Sequence, residues 1–128
     1  MDIKIGLVTI WTKKFDEMKE FYQNVLGFKI KNDLSEYVEF ENEGVRFAIC
    51  KRSVMAIYND EFKKEAKGQS FELAFPCESP EKLDEFYDYL LDEGAKGIHP
   101  PKDMPWNQRT ALFAEPDGNI HEIFAELY

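Results

Sequence analysis

Two segments of the chain share one hydrophobic pattern. The segment that begins at Asp16 resembles the segment that begins at Glu81, 65 residues further on. Within each, apolar side chains recur at positions i, i+3, i+4, i+7 and i+8, a spacing that predicts an amphipathic helix. The apolar positions superpose without a gap: Met18, Phe21, Tyr22, Val25 and Leu26 in the first segment, and Leu83, Phe86, Tyr87, Leu90 and Leu91 in the second.

The residues around these segments mark the expected helix ends. Gly27 follows the first apolar stripe and Gly94 follows the second, and a glycine at this place commonly ends a helix. Ser79 followed by Pro80 predicts the start of the second helix, with a capping hydroxyl and then a proline in the first turn. Thr12 is the best candidate for the start of the first helix. The chain therefore contains two copies of one motif.

Short strand-like segments surround each predicted helix. They cover 5–11, 28–31, 37–40 and 45–50 in the first half, and 71–75, 96–99, 109–114 and 119–124 in the second. We expect an α+β fold of two tandem βαβββ modules, at about 1–58 and 69–128, that form a curved mixed sheet around a cavity with the helices outside. Residues 51–70 are interpreted as the connection, and residues 1–128 as a single domain. A cavity of this kind is a natural small-molecule site.

The distribution of charge narrows the choice of partners. Residues 1–64 carry 11 Lys/Arg and 11 Asp/Glu, whereas residues 65–128 carry 5 and 14, which accounts for the whole net charge of −9. Such a surface repels a phosphate backbone, so nucleic acid is a poor partner, while a cationic ligand is compatible. No apolar run reaches membrane-spanning length and the N-terminus shows no signal peptide. We therefore expect no membrane partner and a cytoplasmic location.

Two short phrases resemble those of a known superfamily. FYQNVLGF at 21–28 and EPDGNIHEI at 115–123, set in a tandem βαβββ plan, are similar to the vicinal oxygen chelate superfamily. That group includes glyoxalases, bleomycin-resistance proteins and extradiol dioxygenases, and the resemblance covers essentially the whole chain. PWNQR at 105–109 also resembles a stretch found before the last hairpin of uncharacterised members. The resemblance implies a homodimer, since members commonly complete their clefts across a dimer interface.

The resemblance also implies four positions for metal ligands. In the superfamily, His or Glu side chains from the first and last strands of each module hold a divalent metal ion. The repeat offsets place these positions at Leu7, Ala48, Glu72 and Glu122, and neither Leu nor Ala can bind a metal. His121 neighbours Glu122 on a strand and is expected on the opposite face. We therefore expect no cofactor, with a weak Mg²⁺ or Mn²⁺ site at the two carboxylates as the alternative.

Strand alternation suggests which side chains line the cavity. The candidate ligand-binding residues are Leu7, Trp11, Arg46, Ala48, Glu72, Trp106, Glu122 and Phe124. Buried near one another, Glu72 and Glu122 would share a proton at neutral pH and could act as acid and base, or they could bind a cationic ligand. Alternatively, Arg46 forms an ion pair with one of them. The two tryptophans could stack on a ligand or belong to the core.

Three functions remain open at this point. The leading hypothesis is a metal-independent small-molecule-binding protein of the bleomycin-resistance type. The second is a lyase or isomerase related to glyoxalase, in which Glu72 and Glu122 are catalytic with or without a divalent metal. The third is a dimeric interaction module without a small ligand. The sequence names no ligand, and one fold hosts many activities.

Overall fold

The computed structural model describes residues 2–65 and 67–128. Residue 1 and residue 66, the latter within the predicted connection, lie outside the described residues. The chain divides between residues 66 and 67 into two compact units, here called module one and module two. No helix among the described residues is long and apolar enough to cross a membrane.

Module one follows the predicted order of strand, helix and three strands. Its elements are β1 (Leu7–Thr12), α1 (Phe15–Glu20) with a π-helical continuation (Phe21–Val25), β2 (Ile30–Asp33), β3 (Tyr37–Phe40) and β4 (Arg46–Lys51). The sheet order is β1-β4-β3-β2, in which β1 is parallel to β4 and the other pairs are antiparallel. After β4 come α2 (Arg52–Tyr58) and a 3-10 helix (Asp60–Lys63).

An aromatic cluster holds α1 and its π-helical continuation on one face of this sheet. Tyr22 is fully buried, and its ring centroid lies 5.9 Å from that of Phe40 and 5.2 Å from that of Phe47. Burial of each such ring stabilises the module by roughly 1.5–3 kcal/mol. Since side chains alternate along a strand, Phe47 faces the helix while Ala48 faces the opposite side.

Module two repeats the same topology. Its elements are β5 (Ala74–Pro76), α3 (Pro80–Asp92), β6 (Lys96–Met104), β7 (Gln108–Ala114) and β8 (Ile120–Glu126). The sheet order is β5-β8-β7-β6, and here too the first and last strands of the module are parallel neighbours while the other pairs are antiparallel. The predicted α+β class and the tandem βαβββ plan are therefore confirmed.

The second helix begins and ends where the sequence predicts. The Ser79 hydroxyl accepts a hydrogen bond from the Lys82 backbone N–H at 3.1 Å, which caps the first turn of α3. At the other end Gly94 adopts a φ of 97°, a left-handed conformation that side chains disfavour. Leu83 and Leu90 lie two turns apart on the same face of α3, and both are fully buried against the sheet.

Some predicted boundaries are wrong. The predicted connection, residues 51–70, contains α2 and the 3-10 helix, neither of which the sequence pattern indicated. Strand β6 continues to Met104, well beyond the predicted end at 99, because its edge position tolerates the prolines at 100 and 101. Conversely, β5 starts at Ala74, so that residues 71–73 lie beside β8 without belonging to a strand.

The start of the first helix also differs from the prediction. Thr12 is the last residue of β1, and its hydroxyl accepts a hydrogen bond from the Lys14 backbone N–H at 2.9 Å. Lys14 occupies the capping position of α1, without a side-chain cap. Gly27 ends the helix as predicted, with a φ of 82°.

Candidate functional site

The face of the module-two sheet opposite α3 carries the predicted carboxylates. In the register of β8 with its neighbours, Glu122 lies beside Ala74 on one side and Leu112 on the other. Phe124, two residues along β8, shares this face and lies beside Thr110. Glu122 and Phe124 are both half-buried. The register therefore places these two side chains on one face of the sheet.

Glu72 reaches the same place from a segment that is not a strand. The adjacent Leu73 accepts a hydrogen bond on its backbone oxygen from the Glu122 N–H at 2.9 Å. The Leu73 N–H donates to Nδ1 of His121 at 3.2 Å. Gln69 extends the attachment, since its side-chain amide donates to the Ile120 carbonyl and accepts from the Ile120 N–H, both at 2.6 Å. One backbone hydrogen bond and the side chains of Gln69 and His121 thus hold this segment beside β8 and position Glu72.

The carboxyl groups of Glu72 and Glu122 lie close enough to influence each other's ionisation. Burial raises the pKa of Glu122, and the hydrogen bond and negative charge of Glu72 raise it further, to about 7. A proton held between two carboxylates gives the pair both a donor and acceptors near neutral pH. Chemically, the pair can hydrogen-bond a neutral ligand, attract a cation, or transfer a proton.

His121 lies on the other face of β8, as predicted, and there it is buried. Its ring packs edge-on against Phe75 and Phe113, with centroids 6.0 Å away in each case. Nε2 lies 3.6 Å from the buried carboxylate of Glu115. Because Nδ1 accepts the Leu73 N–H, the ring proton lies on Nε2, toward Glu115. His121 therefore supports the segment that carries Glu72, and its side chain lies on the face of β8 opposite Glu122.

Glu115 in turn organises the turn that precedes β8. Its carboxylate accepts the backbone N–H groups of Asp117 and Asn119 at 3.1 and 2.9 Å and the side-chain amide of Asn119 at 3.0 Å. Burial would raise the pKa of Glu115, but the hydrogen bonds from His121 and Asn119 outweigh it, so its pKa is lowered. The motif at 115–123 is therefore a structural unit that positions β8.

The corresponding face of module one combines the other predicted positions. Leu7 lies beside Arg46 and Trp11 beside Cys50, with Ala48 between them on β4. Leu7 and Trp11 are exposed, whereas Ala48 is fully buried. The grouping of these side chains on one face, opposite α1, agrees with the sequence interpretation.

Arg46 is engaged by a residue that the sequence interpretation missed. Its Nε and Nη2 atoms donate to the two carboxylate oxygens of Glu39 at 2.9 and 2.7 Å, a bidentate ion pair. Glu39 is buried, lies beside Ala48 on β3, and is also 3.9 Å from the Lys31 ammonium. The hydrogen bond from Arg46 lowers the pKa of Glu39. The expected alternative of an Arg46 pair with Glu72 or Glu122 is thus replaced by a pair within module one.

The two tryptophans have different surroundings. Trp11 is contacted by the ring edge of Phe62 at 4.5 Å between centroids, and the Arg52 guanidinium lies 5.8 Å from its ring centre. Trp106 lies in the loop between β6 and β7, is 60% exposed, and donates its indole N–H to Gln108 at 3.1 Å. Trp106 is therefore not on the sheet face that carries Glu122.

The residues present do not fit a metal site of the kind the resemblance implies. The side chains of Leu7 and Ala48 have no atom that can coordinate a metal ion. Among the described residues, no group of three or more His, Cys, Asp or Glu side chains is placed to hold a metal ion. Glu72 and Glu122 remain, and because the pKa of Glu122 is raised to about 7, Glu122 would have to lose a proton before binding a cation near neutral pH.

Comparisons with known proteins place this geometry in context. The family described as "Glyoxalase-like domain" matches residues 5–127. An uncharacterised protein, YraH of Bacillus subtilis (strain 168), is 32% identical over 132 residues, which cover 98% of this chain and 100% of that protein.

Solved structures resemble the whole chain as well. A glyoxalase/bleomycin resistance protein/dioxygenase from Nocardioides is 27% identical, with a TM-score of 0.84, over 99% of this chain and 85% of that chain. A glyoxalase/bleomycin resistance protein/dioxygenase family enzyme from Burkholderia phytofirmans PsJN has a TM-score of 0.86 at 21% identity, over 95% and 98% of the two chains. The second likeness concerns the fold alone.

Proposed function

The chain belongs to the glyoxalase-like domain family, and from that premise we propose that it binds a small molecule without a resident metal ion. The proposed site is the sheet face of module two that carries Glu72 and Glu122. The observation that supports the proposal is the approach of these two carboxyl groups, which are held beside each other by the bond from the Glu122 N–H to the Leu73 carbonyl, with the pKa of Glu122 raised to about 7. A pair that holds a proton is a poor ligand set for a divalent cation, and the other two ligand positions carry Leu7 and Ala48.

The surroundings of the pair favour a ligand that is partly apolar and cationic. Leu112 and Phe124 flank the carboxylates on the same face. An amine or aromatic cation could lay its apolar part on these side chains and its charge against the pair. Such a ligand would favour the doubly ionised pair, so its binding near neutral pH should release a proton.

The first experiment measures thermal unfolding of chelator-stripped protein with excess Mg²⁺, Mn²⁺, Ni²⁺ or Zn²⁺. A ligand that binds only the native state raises the midpoint of thermal unfolding. If the protein works without a metal ion, no metal should raise this midpoint through binding to Glu72 and Glu122. The Glu122→Gln variant tests the pair. Glu126→Gln is the matched control, because it removes the same charge four residues along β8. A rise of several degrees that Glu122→Gln abolishes and Glu126→Gln retains contradicts the proposal.

A calorimetric screen of amines and aromatic cations tests ligand binding itself. At pH 7, each titration is run in two buffers of different ionisation enthalpy. A ligand at the pair gives a heat that depends on the buffer, because a proton is released, and this dependence is lost in Glu122→Gln. Binding that Glu122→Gln leaves unchanged would place the ligand away from the pair.

A second candidate function is acid–base catalysis, as in a lyase or isomerase. The pKa of Glu122 near 7 favours it, since a general acid or base works best when its pKa is close to the operating pH. The expected chemistry is removal and return of a proton next to a carbonyl group. Proton–deuterium exchange of small ketones and hydroxyketones in D₂O, followed by NMR, tests it. Exchange that Glu122→Gln abolishes and Glu126→Gln retains supports catalysis, and no exchange with any compound leaves the binding function.

We also propose that the protein is a homodimer, as the superfamily resemblance implies. The exposed apolar side chains of Leu7 and Trp11 are consistent with a surface that a second chain covers. Sedimentation equilibrium gives the mass in solution directly. A monomer at micromolar concentration would contradict this part of the proposal.

A further inference from the structure

We propose that module one has a second ligand site, a groove beside α2 that binds a small amphipathic anion such as a carboxylate on a short apolar chain. The groove lies between α2 and the 3-10 helix and has a volume of about 490 Å³. Pockets that hold small organic molecules fall in the range of about 300–1,000 Å³. All the residues that line it belong to module one, so the proposal is independent of the Glu72–Glu122 pair.

The groove has an apolar side that none of the described residues of module one covers. Ala56, Ile57 and Phe62 line it. Ile57 is 84% exposed, and α2 contains no buried residue, although three of its seven side chains are Val, Met and Ile. Phe62 is held in place by its edge-on contact with Trp11. An apolar ligand chain of suitable size would bury this exposed surface.

The charged side chains of the groove are all cationic. Lys13, Arg52 and Lys63 line it, and no acidic residue is among the described lining residues. This is a local reversal of sign in a chain of net charge −9. A small anion would therefore be attracted to this groove and repelled by the acidic second half of the chain, which accounts for the whole net charge.

The three cationic side chains differ in the partners they already have. Lys13 forms an ion pair with Glu65, and Lys63 forms one with Asp60 at 3.0 Å, both at exposed positions where such pairs are weak. The hydrogen bonds of Arg52 go to the neutral backbone carbonyls at 62 and 64, at 3.3 and 3.4 Å. Its guanidinium lies 5.8 Å from the Trp11 ring centre, beside the apolar wall, with Glu65 near enough to feel its charge. Arg52 is the expected carboxylate partner.

The combination selects one ligand class. A cationic amphiphile is repelled by three positive charges, and a neutral chain of the same length lacks the ion pair. A charge-assisted hydrogen bond of the Arg–carboxylate kind changes affinity by about tenfold or more. Affinity for the anion should also fall as salt rises, since the cations are exposed to solvent.

The test uses decanoate below its micelle concentration, with decan-1-ol and decylammonium as chain-matched probes. Isothermal titration calorimetry gives affinity and stoichiometry. Trp11 fluorescence in a Trp106→Phe background reports on the groove, since the chain has two tryptophans. The variants are Arg52→Gln, Ile57→Glu at an exposed position that should not disturb folding, and Lys29→Gln as a matched loss of one exposed charge in the same module.

We expect the wild type to bind one decanoate per chain and to show no comparable binding of decylammonium. The affinity for decanoate should be about tenfold weaker in Arg52→Gln. Binding should be lost in Ile57→Glu and unchanged in Lys29→Gln. Decanoate binding that both groove variants leave intact would place the anion elsewhere and overturn the proposal. So would equal binding of the three probes, or no binding of decanoate. A dimer that Ile57→Glu converts to a monomer, without anion binding in either form, would show instead that a second copy covers the groove.

Discussion

The Glu122→Gln substitution should make the protein more stable at alkaline pH and leave it nearly unchanged in acid. Glutamine keeps the size of the side chain and can donate a hydrogen bond to Glu72, but it cannot ionise. In the wild type the pKa of Glu122 is about 7 in the folded state against 4.5 for an ordinary glutamate. Between these values the folded protein binds more protons than the unfolded chain, so stability falls as pH rises from about 4.5 to 7 and is constant above that range.

The size of the effect follows from the pKa of Glu122. A change from 4.5 to about 7 corresponds to a loss of about 3 kcal/mol above pH 7, at about 1.4 kcal/mol per pH unit. Glu122 is half-buried and Glu72 is exposed, so solvent screens part of this repulsion. We therefore expect Glu122→Gln to gain about 1–2 kcal/mol at pH 8 relative to its effect at pH 4.5.

Urea unfolding at pH 4.5, 6, 7 and 8 measures the difference between the two proteins. Glu126→Gln provides the control, because its partner Gln108 donates to an oxygen that glutamine retains. The control should show no comparable gain between pH 4.5 and 8. If Glu122→Gln is equally or more destabilised at pH 8 than at pH 4.5, the two carboxyl groups do not share a proton, and the reasoning about the site fails.

Three further substitutions test the structure around the site. Ser79→Ala removes the acceptor of the Lys82 N–H and should cost about 1 kcal/mol in urea unfolding; a cost near zero would mean that the cap is not formed in solution. In Gly97→Ala the added Cβ would lie 2.6 Å from the Tyr87 hydroxyl, so we expect the free energy of unfolding to fall by about 1–3 kcal/mol. Adding Tyr87→Phe should restore part of this loss, whereas additive losses in the double variant would contradict the clash. His121→Phe leaves a backbone N–H without its acceptor and should cost about 2–3 kcal/mol, with faster amide exchange at residues 71–73, whereas unchanged exchange would show that the histidine does not support that segment.

The parts of the fold that the sequence predicts are those with local signals. Helix α3 has a capping serine, a proline in the first turn, a regular apolar stripe and a glycine at its end, and the structure forms each of these features. The repeat then transfers the interpretation to module one, where the helix and four strands recur in the same order. The hydrophobic period and the residues that mark helix ends predict these elements because each element buries one face.

The missed elements lack such a signal. Helix α2 buries none of its residues, so its side chains show no pattern that distinguishes a buried from an exposed face. The π-helical continuation of α1 depends on backbone bonds, and the same apolar spacing would fit an ordinary helix. Strand β6 carries two consecutive prolines, which oppose a strand anywhere except at an edge, and edge position is known only once the sheet order is known.

The candidate site was predicted in part. Strand alternation and the repeat predict that Glu72 and Glu122 lie near each other, and the structure brings their carboxyl groups close enough to interact. The bonds that hold Glu72 in place, from Gln69 and His121, join residues about 50 positions apart and have no local signature. The Glu39 partner of Arg46 was missed because it depends on the exact register of β3 against β4.

We propose that Glu72 and Glu122 hold a proton between them in place of a metal ion. The most direct measurement is an NMR titration of the ¹³C-labelled side-chain carboxyl of Glu122, with and without millimolar Mg²⁺ or Zn²⁺. We predict an apparent pKa of about 7 that neither metal changes and that falls when Glu72 is replaced by glutamine. A midpoint near the ordinary glutamate value, or one that a metal lowers strongly in the wild type only, would contradict the account.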